Sequence, residues 1–541
     1  MARAVLCVPN FSEGRNKDVM DSISKAISET PGCSLLDISA GESTNRSVYT
    51  FAGTPEAVVL GALNSAKVAH QLIDMSKHEG EHPAIGAMDV CPFVPISGVT
   101  MEECVQCSQE FGQQLAKELG VPVYLYEHSS DKTYRKTLPD IREGEYKGLS
   151  KKLEKPEWEP DFGPAKFVSS WGATVTGARD PLVAYNVNLL GTKQQANRIA
   201  LDIREIGRGP KQPGTLKHCR AIGWYLEERD IAQVSINLTC PSVTPLHVAY
   251  EECVKQAKVL NLPVIGSEIV GLVPLQLMLA AADYYIQRDN LFIAHEHQKI
   301  MLAVDRLGLN QLGEFDANNK IIEYKMQLKK DGKLVGSTVR QFVERVAARS
   351  TTPGGGSVSA CIAAMGAALG AMVGWMTYGY KKFESVDMVM RKAIPPLNDV
   401  TQKLLPLIDM DSEAYTSYVE ATKLPHRTEE EKAKRNAAMD VGLKKAADVP
   451  MSIIRIANQC WPHLVSLAEH GNIACKSDLQ VGCKALLTGI QGAFLNVQIN
   501  LKDIKDQDYC SKIMTEANEA MQTAEKLCTE VLARLDECST K

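Results

Sequence analysis

The chain has 541 residues, 45% of them hydrophobic and 23% charged, and carries a formal net charge of −5. These values describe a soluble globular protein of about three or four domains and argue against nucleic acid as its main partner. Fifteen cysteines, an odd number without regular spacing, and the lack of an apolar leader in residues 1–15 point to a reducing, cytosolic compartment.

Residues 3–11 read as a strand, 16–30 as a helix, and 33–40 and 46–54 as strands. Pro55 opens a helix at the position proline favours, and the helix runs to about residue 76. It ends at KHEGEHPAIGAMDVCPFVP, residues 77–95, which holds His78, His82, Glu79, Glu81 and Asp89. Pro83 pushes His82 toward extended backbone. His82 is therefore expected on a turn between a helix and a strand, a position that suits a catalytic base; the plain alternative is a hydrogen-bonded surface histidine. Zinc is not expected, because Gly80 and Pro83 break the helical face an HxxxH pair needs and the HExxH order is absent. Strand, helix and strand follow at 87–96, 101–119 and 121–127. Cys104 and Cys107 form a lone CxxC in a helical pattern and are expected as core cysteines. Residues 129–164 are polar and punctuated by proline and glycine, and are expected as a surface excursion. The first subdomain, 1–181, is thus expected to be α/β (α+β).

A second subdomain spans 182–326. Its strand 182–190, helix 193–208, hairpin 220–239, helix 245–261 and strand 263–270 give the order βαββαβ of a ferredoxin-like element. Two helices, 274–288 and 290–307, follow, and residues 327–333 form a short charged linker. No strand is expected in the last domain, 334–541: segments 404–422, 429–447, 477–501 and 511–535 alternate at helical period, which predicts an all-α helical bundle. Residues 350–380 carry no charge and are long enough to span a bilayer. They are rich in alanine and glycine, with Gly366, Gly370 and Gly374 four apart, and this favours a central bundle helix at a tightly packed or subunit interface.

Pro353-Gly-Gly-Gly-Ser357 precedes that helix and reads either as an anion nest or as a flexible cap. It lacks the GK[ST] of a phosphate loop, and no GxGxxG supports a nicotinamide or flavin. Asp409 and Asp411 close the apolar run LLPLIDMD; two residues apart on a helix, at most one faces a core site.

VPNFSEGR at 8–15, STNRSVYTFAG at 43–53 and GEHPAIGAMDVCPFVP at 80–95 resemble a formiminotransferase. PGGGS at 353–357, GNIACKSDLQ at 471–480 and NVQINL at 496–501 resemble a cyclodeaminase. Together, in this order, they resemble the bifunctional formimidoyltransferase-cyclodeaminase family of histidine degradation, over nearly the whole chain. The resemblance implies transfer of the formimino group from N-formimino-L-glutamate to tetrahydrofolate, a polyglutamylated co-substrate. It then implies closure of 5-formimino-tetrahydrofolate to 5,10-methenyl-tetrahydrofolate with loss of ammonia, without metal or nicotinamide. It puts the catalytic histidine at His82 and the cyclodeaminase acid at Asp411. Among the acids of the chain, Asp37, Glu81 or Asp89 are candidates to orient the His82 ring.

The same resemblance implies two folate-contacting segments. One is Gly163, Pro164, Ala165, Lys166, Phe167, Val168, Ser169, Ser170, Trp171 and Gly172; the other is Gly214, Thr215, Leu216, Lys217, His218, Cys219, Arg220, Ala221, Ile222 and Gly223. Glycines allow close backbone approach to a flat ring, Phe167 and Trp171 offer stacking faces, and Lys166, Lys217 and Arg220 can meet carboxylates. A homo-octamer built as a ring of dimers is implied, as are a cytosolic location and association with the Golgi, the centrosome and cytoskeletal filaments or microtubules. Two alternatives follow: a folate-binding scaffold whose catalysis is secondary, and an enzyme that uses formylglutamate as donor. Residues 193–220 hold seven Lys/Arg against two acids and lead into the second folate segment; Lys325, Lys329, Lys330 and Lys333 come later. These charges are expected to hold a polyglutamate tail and channel the intermediate, unless they form an ordinary solvated face.

Overall fold

The computed structural model describes residues 3–42, 44–80, 82–326 and 332–538. The chain forms two compact units, Met1–Lys329 and Lys330–Lys541. Most of the expected linker, residues 327–331, lies outside the described residues.

The first unit holds two sheets. The larger consists of β1 (Ala4–Cys7), β2 (Asn10–Phe11), β3 (Cys33–Gly41), β4 (Arg46–Gly53), β5 (Met88–Ser97), β6 (Val123–Leu125) and β7 (Thr174–Ala178). β1 and β2 are one line interrupted at Pro9, which has no N–H for a ladder, and both lie antiparallel between β4 and β5. β3 pairs antiparallel with β4, while β7 runs parallel to both β5 and β6. No strand is expected at 174–178. TVTGA is short and weakly apolar, and its place is set by the two strands that flank it.

Helices Lys17–Ser28, Pro55–Leu72 and Met101–Leu119 cover one face of this sheet, burying Ile23, Phe51, Phe93 and Phe111. Local chemistry fixes their ends. Asn16 and Thr54 cap the first two, and Thr100 with Glu103 makes a capping box for the third, which Gly120 ends at φ +67. Burial pushes the thiols of Cys104 and Cys107 up to about 12 and about 11.

On the opposite face, residues 129–164 prove to be more than a surface excursion. Short helices Leu138–Arg142 and Glu145–Leu153 seat Ile141, Leu149 and Leu153 against Val90, Tyr124 and Val175. The apolar residues are too few for a periodic signal, yet they cover part of that face. Leu6, Leu36, Ala52 and Val94 form a separate cluster with Ile322.

The smaller sheet contains β8 (Val183–Leu189), β9 (Cys219–Leu226), β10 (Ile231–Leu238) and β11 (Val264–Val270), in the order β11-β8-β10-β9 and antiparallel throughout. Helices Lys193–Ile203 and Leu246–Val259 join its strands, which completes the expected ferredoxin-like βαββαβ element. Ala184 and Val270 of this sheet and Asp37, Val48 and Val94 of the larger one line a cavity of about 390 Å³.

Every regular element among the described residues of the second unit is helical. Helix Gly355–Trp375 packs against Asp387–Thr422 and Lys476–Leu501. A Cβ on Gly366 would strike the backbone of Gly482 and Leu486, and one on Gly489 would strike Ala363. Glycine is required there because the helix backbones nearly touch. The other side of the helix leaves Met365 and Met376 exposed. Asp387–Thr422 starts well before the expected residue 404, because it continues through Pro395, Pro396 and Pro406; Glu429–Ala457 likewise continues through Pro450. Interior prolines ordinarily break helices, and here the packed bundle holds the axis together.

Candidate active sites

Three sequence motifs converge at His82. β2 lies between β4 and β5, so Asn10, Arg46 and Asp89 meet at one end of the sheet. Arg46 donates to Asn10 Oδ1 at 2.5 Å and to Asp89 Oδ2 at 2.7 Å. Arg142, from the segment expected to be a surface excursion, donates to the same Asp89 oxygen. Asn45 adopts φ +45, a conformation asparagine tolerates. It accepts from Gly14 N at 3.0 Å and donates to the Glu79 carbonyl at 3.0 Å, which ties the His82 loop to its neighbours. Nδ1 of His78 lies 3.3 Å from the same Asn45 amide.

Two groups approach His82 Nδ1: the Pro83 carbonyl at 2.8 Å and Arg46 Nη1 at 3.2 Å. Only an Nδ1–H can satisfy the carbonyl, and Arg46 Nη1 already donates to Asp89. The tautomer assigned on this network carries its proton on Nδ1 and leaves the lone pair on Nε2. Burial lowers the His82 pKa below its ordinary value, and the Arg46 charge adds to the effect. Asp89 is fully buried; burial raises its pKa, but Arg142 and Arg46 outweigh that and hold it below the carboxylate range. Of the three acids considered for orienting the ring, Asp89 acts through Arg46. Asp37 lines the cavity between the sheets, and Glu81 lies outside the described residues.

The two folate segments correct several expectations. Trp171 is fully buried, donates to Thr174 at 3.0 Å and packs on His70, so it offers no stacking face. Phe167 remains partly exposed beside Tyr146, at 5.3 Å between ring centroids. The four end glycines face their own chain. A Cβ on Gly163 would hit Val121, on Gly172 Ile85, on Gly214 Arg204 and on Gly223 Asn197. The fold itself requires glycine at these four positions. Segment 163–172 backs the His82 loop, since Ala87 N donates to Trp171 O and Ala173 N to Ile85 O. Leu216, Cys219 and Ala221 are buried, whereas Lys166, Lys217 and Arg220 are exposed. His218 and Arg220 line a cavity of about 510 Å³ together with Arg142 and Arg179.

In the second unit the two aspartates of LLPLIDMD part company. Asp409 accepts the backbone N–H groups of Leu334 and Val335 at 2.8 and 3.0 Å, which pins the start of the bundle. Asp411 reaches the opening turn of Gly355–Trp375. Ser357 Oγ donates to it at 3.0 Å, and a Cβ on Gly356 would collide with its carboxylate. The glycine-rich turn therefore does receive an anion, supplied by the chain itself. Burial raises the Asp411 pKa, and hydrogen bonds from the Ser357 side chain and backbone pull it back only in part. Asn496, from the 496–501 motif, lies beside Gly355. By contrast, Asn472, from the 471–480 motif, donates to Met376 O at the far end of the same helix, about 30 Å away. A cavity of about 830 Å³ is lined by Pro353, Ser412, Arg345 and Lys445, and of the two aspartates Asp409, not Asp411, lies on its wall.

Family models match three consecutive stretches: the N-terminal subdomain of a formiminotransferase domain at residues 4–179, a formiminotransferase domain at 184–327 and formiminotransferase-cyclodeaminase at 338–519. The chain is 55% identical to the formimidoyltransferase-cyclodeaminase of Gallus gallus, over 99% of both chains. It is 54% identical to that of Dictyostelium discoideum, over 98% of both. Glutamate formimidoyltransferase of Streptococcus pyogenes serotype M1 is 42% identical over 54% of this chain and 95% of its own.

Proposed function

The chain belongs to the formimidoyltransferase-cyclodeaminase family, and from that premise we propose how its two units divide the work. It is a bifunctional folate-dependent enzyme. It transfers the formimino group of N-formimino-L-glutamate to tetrahydrofolate, giving L-glutamate and 5-formimino-tetrahydrofolate. It then cyclises that product to 5,10-methenyl-tetrahydrofolate and releases ammonia.

We assign transfer to the first unit and ring closure to the second. The observation that carries this is the opposite tuning of two proton carriers, His82 lowered and Asp411 raised. In transfer, N5 of tetrahydrofolate attacks the formimino carbon and gives its proton to His82 Nε2. The imidazolium returns that proton to the glutamate nitrogen as the C–N bond breaks. In closure, N10 attacks the same carbon, its proton passes to Asp411, and Asp411 hands a proton to the departing ammonia. Absorbance of the methenyl product, followed with formimino- and formylglutamate as alternative donors, tests the reading. Formation of product and ammonia from the formimino donor is expected; turnover of the formyl donor alone would overturn it.

Folate with a polyglutamate tail is the substrate form we infer. Support comes from the basic stretch, where Lys193, Arg198, Lys211, Lys217 and Arg220 are exposed while Arg208 pairs with Asp202. Lys329 and Lys330 fall outside the described residues. A tail held there tethers the intermediate and raises its effective concentration at the second site, to the mM range for a short flexible link. Rapid-quench measurement should find little free intermediate with pentaglutamate substrate, clear release with monoglutamate, and a smaller difference at high salt. Equal release at low salt would exclude the tether. Exposed Met365 and Met376, with Val339 and Val343 on helix Val339–Val346, favour assembly into a homo-oligomer such as a ring of dimers.

A further inference from the structure

Both guanidinium groups around Asp89 share its Oδ2, Arg46 at 2.7 Å and Arg142 beside it. The other Asp89 oxygen accepts Ile85 N at 3.0 Å. One buried negative charge thus faces two positive ones, and among the described residues no second carboxylate reaches either arginine. Their side chains are only 12% and 14% exposed, so water screens them poorly. Arginine keeps its charge in a protein, and the cluster holds a net positive charge that burial makes costly.

The imbalance has a direction. Arg142 Nε is buried without a hydrogen-bond partner. Arg142 also lines the cavity of about 510 Å³, whose wall carries Lys136, Arg179 and Arg220 against Glu127, Asp180 and Glu205. Asp180 pairs with His128 at 3.2 Å, and Glu205 accepts His218 N at 3.1 Å, so two of those acids are already engaged. The same cluster touches His82 through Arg46, at 3.2 Å.

We propose that Arg142, backed by Asp89 and Arg46, binds a carboxylate of the amino-acid donor. The inference rests on the transferase reading of this unit and adds the donor subsite to it. In an N-formimino amino acid only the α-carbon and the nitrogen separate the α-carboxylate from the formimino carbon. A carboxylate held on Arg142 keeps the reacting carbon at the arginine cluster whose other member, Arg46, contacts His82. A guanidinium fork matches a carboxylate in shape and charge. Folate tails carry the same group, so the test must separate donor from folate.

Arg142→Met and Arg142→Lys are compared with wild type in the full chain. The donors are N-formimino-L-glutamate and its α-amide and γ-amide. Wild-type turnover of the acid donor comes first, because its absence would overturn the transferase reading itself. Given turnover, Arg142→Met should raise the donor KM about 10- to 100-fold and leave the tetrahydrofolate KM unchanged, with Arg142→Lys in between. Wild type should suffer a similar loss on one of the two amides, and Arg142→Met should suffer no further loss on that amide, since partners in one contact are not additive. Losses that add for both amides would mean a structural role and overturn the proposal. A raised KM for pentaglutamyl folate with the donor KM unmoved would give the site to the folate tail, which also overturns it. Glu81→Gln serves as control: if it alone reproduces the Arg142→Met effect, the balancing charge is internal and the proposal fails.

Discussion

The base role proposed for His82 depends on what its other nitrogen does. The Pro83 carbonyl accepts a hydrogen bond from Nδ1–H, and Arg46 keeps a positive charge beside the ring. A histidine whose pKa is lowered stays neutral above its ordinary titration range and protonates only further down the pH scale, so the acid limb of transfer should lie below that of a free imidazole. His82→Ala should cut transfer by about 10²–10⁴-fold and spare cyclisation of supplied 5-formimino-tetrahydrofolate. Arg46→Met removes the neighbouring charge, raises the His82 pKa and should move the acid limb to higher pH. A kcat/KM profile of transfer checks both, and an unmoved limb would mean Arg46 does not act on the ring. The GEHPAIGAMDV run made His82 legible, because Pro83 announces a turn. Arg142 was not legible, since its partner Asp89 lies 53 residues away and only the fold of a nondescript polar segment brings it in. Trp171 misled for the opposite reason: an aromatic residue among glycines reads as a ring contact, whereas the sheet buries it.

At the scale of one helix, Asp387–Thr422 carries two carboxylates with unlike duties. Two residues apart they point in different directions, one to the start of the bundle and one to the glycine turn. Asp411→Asn should abolish ammonia release and let 5-formimino-tetrahydrofolate accumulate. Asp409→Asn should leave ring closure intact and cost about 1–3 kcal/mol of stability, read as a lower Tm. The Ser357 hydrogen bond favours the charged form of Asp411, so Ser357→Ala raises its pKa further and should shift the acid limb of cyclisation to higher pH. The reverse result, Asp409→Asn inactive and Asp411→Asn silent, would exchange the two roles. The apolar run before these residues announced a helix, but three prolines hid where it begins. Their penalty is local, and the packing that offsets it comes from Gly355–Trp375 and the other helices around it.

For the whole molecule, the change from mixed sheet to pure helix near residue 330 was plain in the sequence, because the periodicity changes there. Strand β7 and the helices at 138–153 were not, because their positions depend on partners distant in the chain. Each unit has its own core, so residues 1–326 alone should transfer without cyclising, and residues 334–541 alone should cyclise without transferring. Sedimentation of the second fragment tests the exposed methionine face, and a monomer of full activity would remove any need for a partner there. The basic stretch 193–220 was also legible, although only the structure separates its exposed lysines from Arg208, which Asp202 neutralises.

The glycine and alanine face of Gly355–Trp375 matters during synthesis as well. That helix leaves the ribosome about a hundred residues before Lys476–Leu501, the helix its glycines fit. At a translation rate of about 5–20 residues per second, it waits about 5–20 s without that cover. A leucine-rich segment of this length would spend the interval as a target for membrane insertion or aggregation. Gly355–Trp375 is itself long and apolar enough to cross a membrane, but the small side chains that let two backbones meet expose less apolar surface than leucines would, so one choice of residues serves both the finished bundle and the unfinished chain.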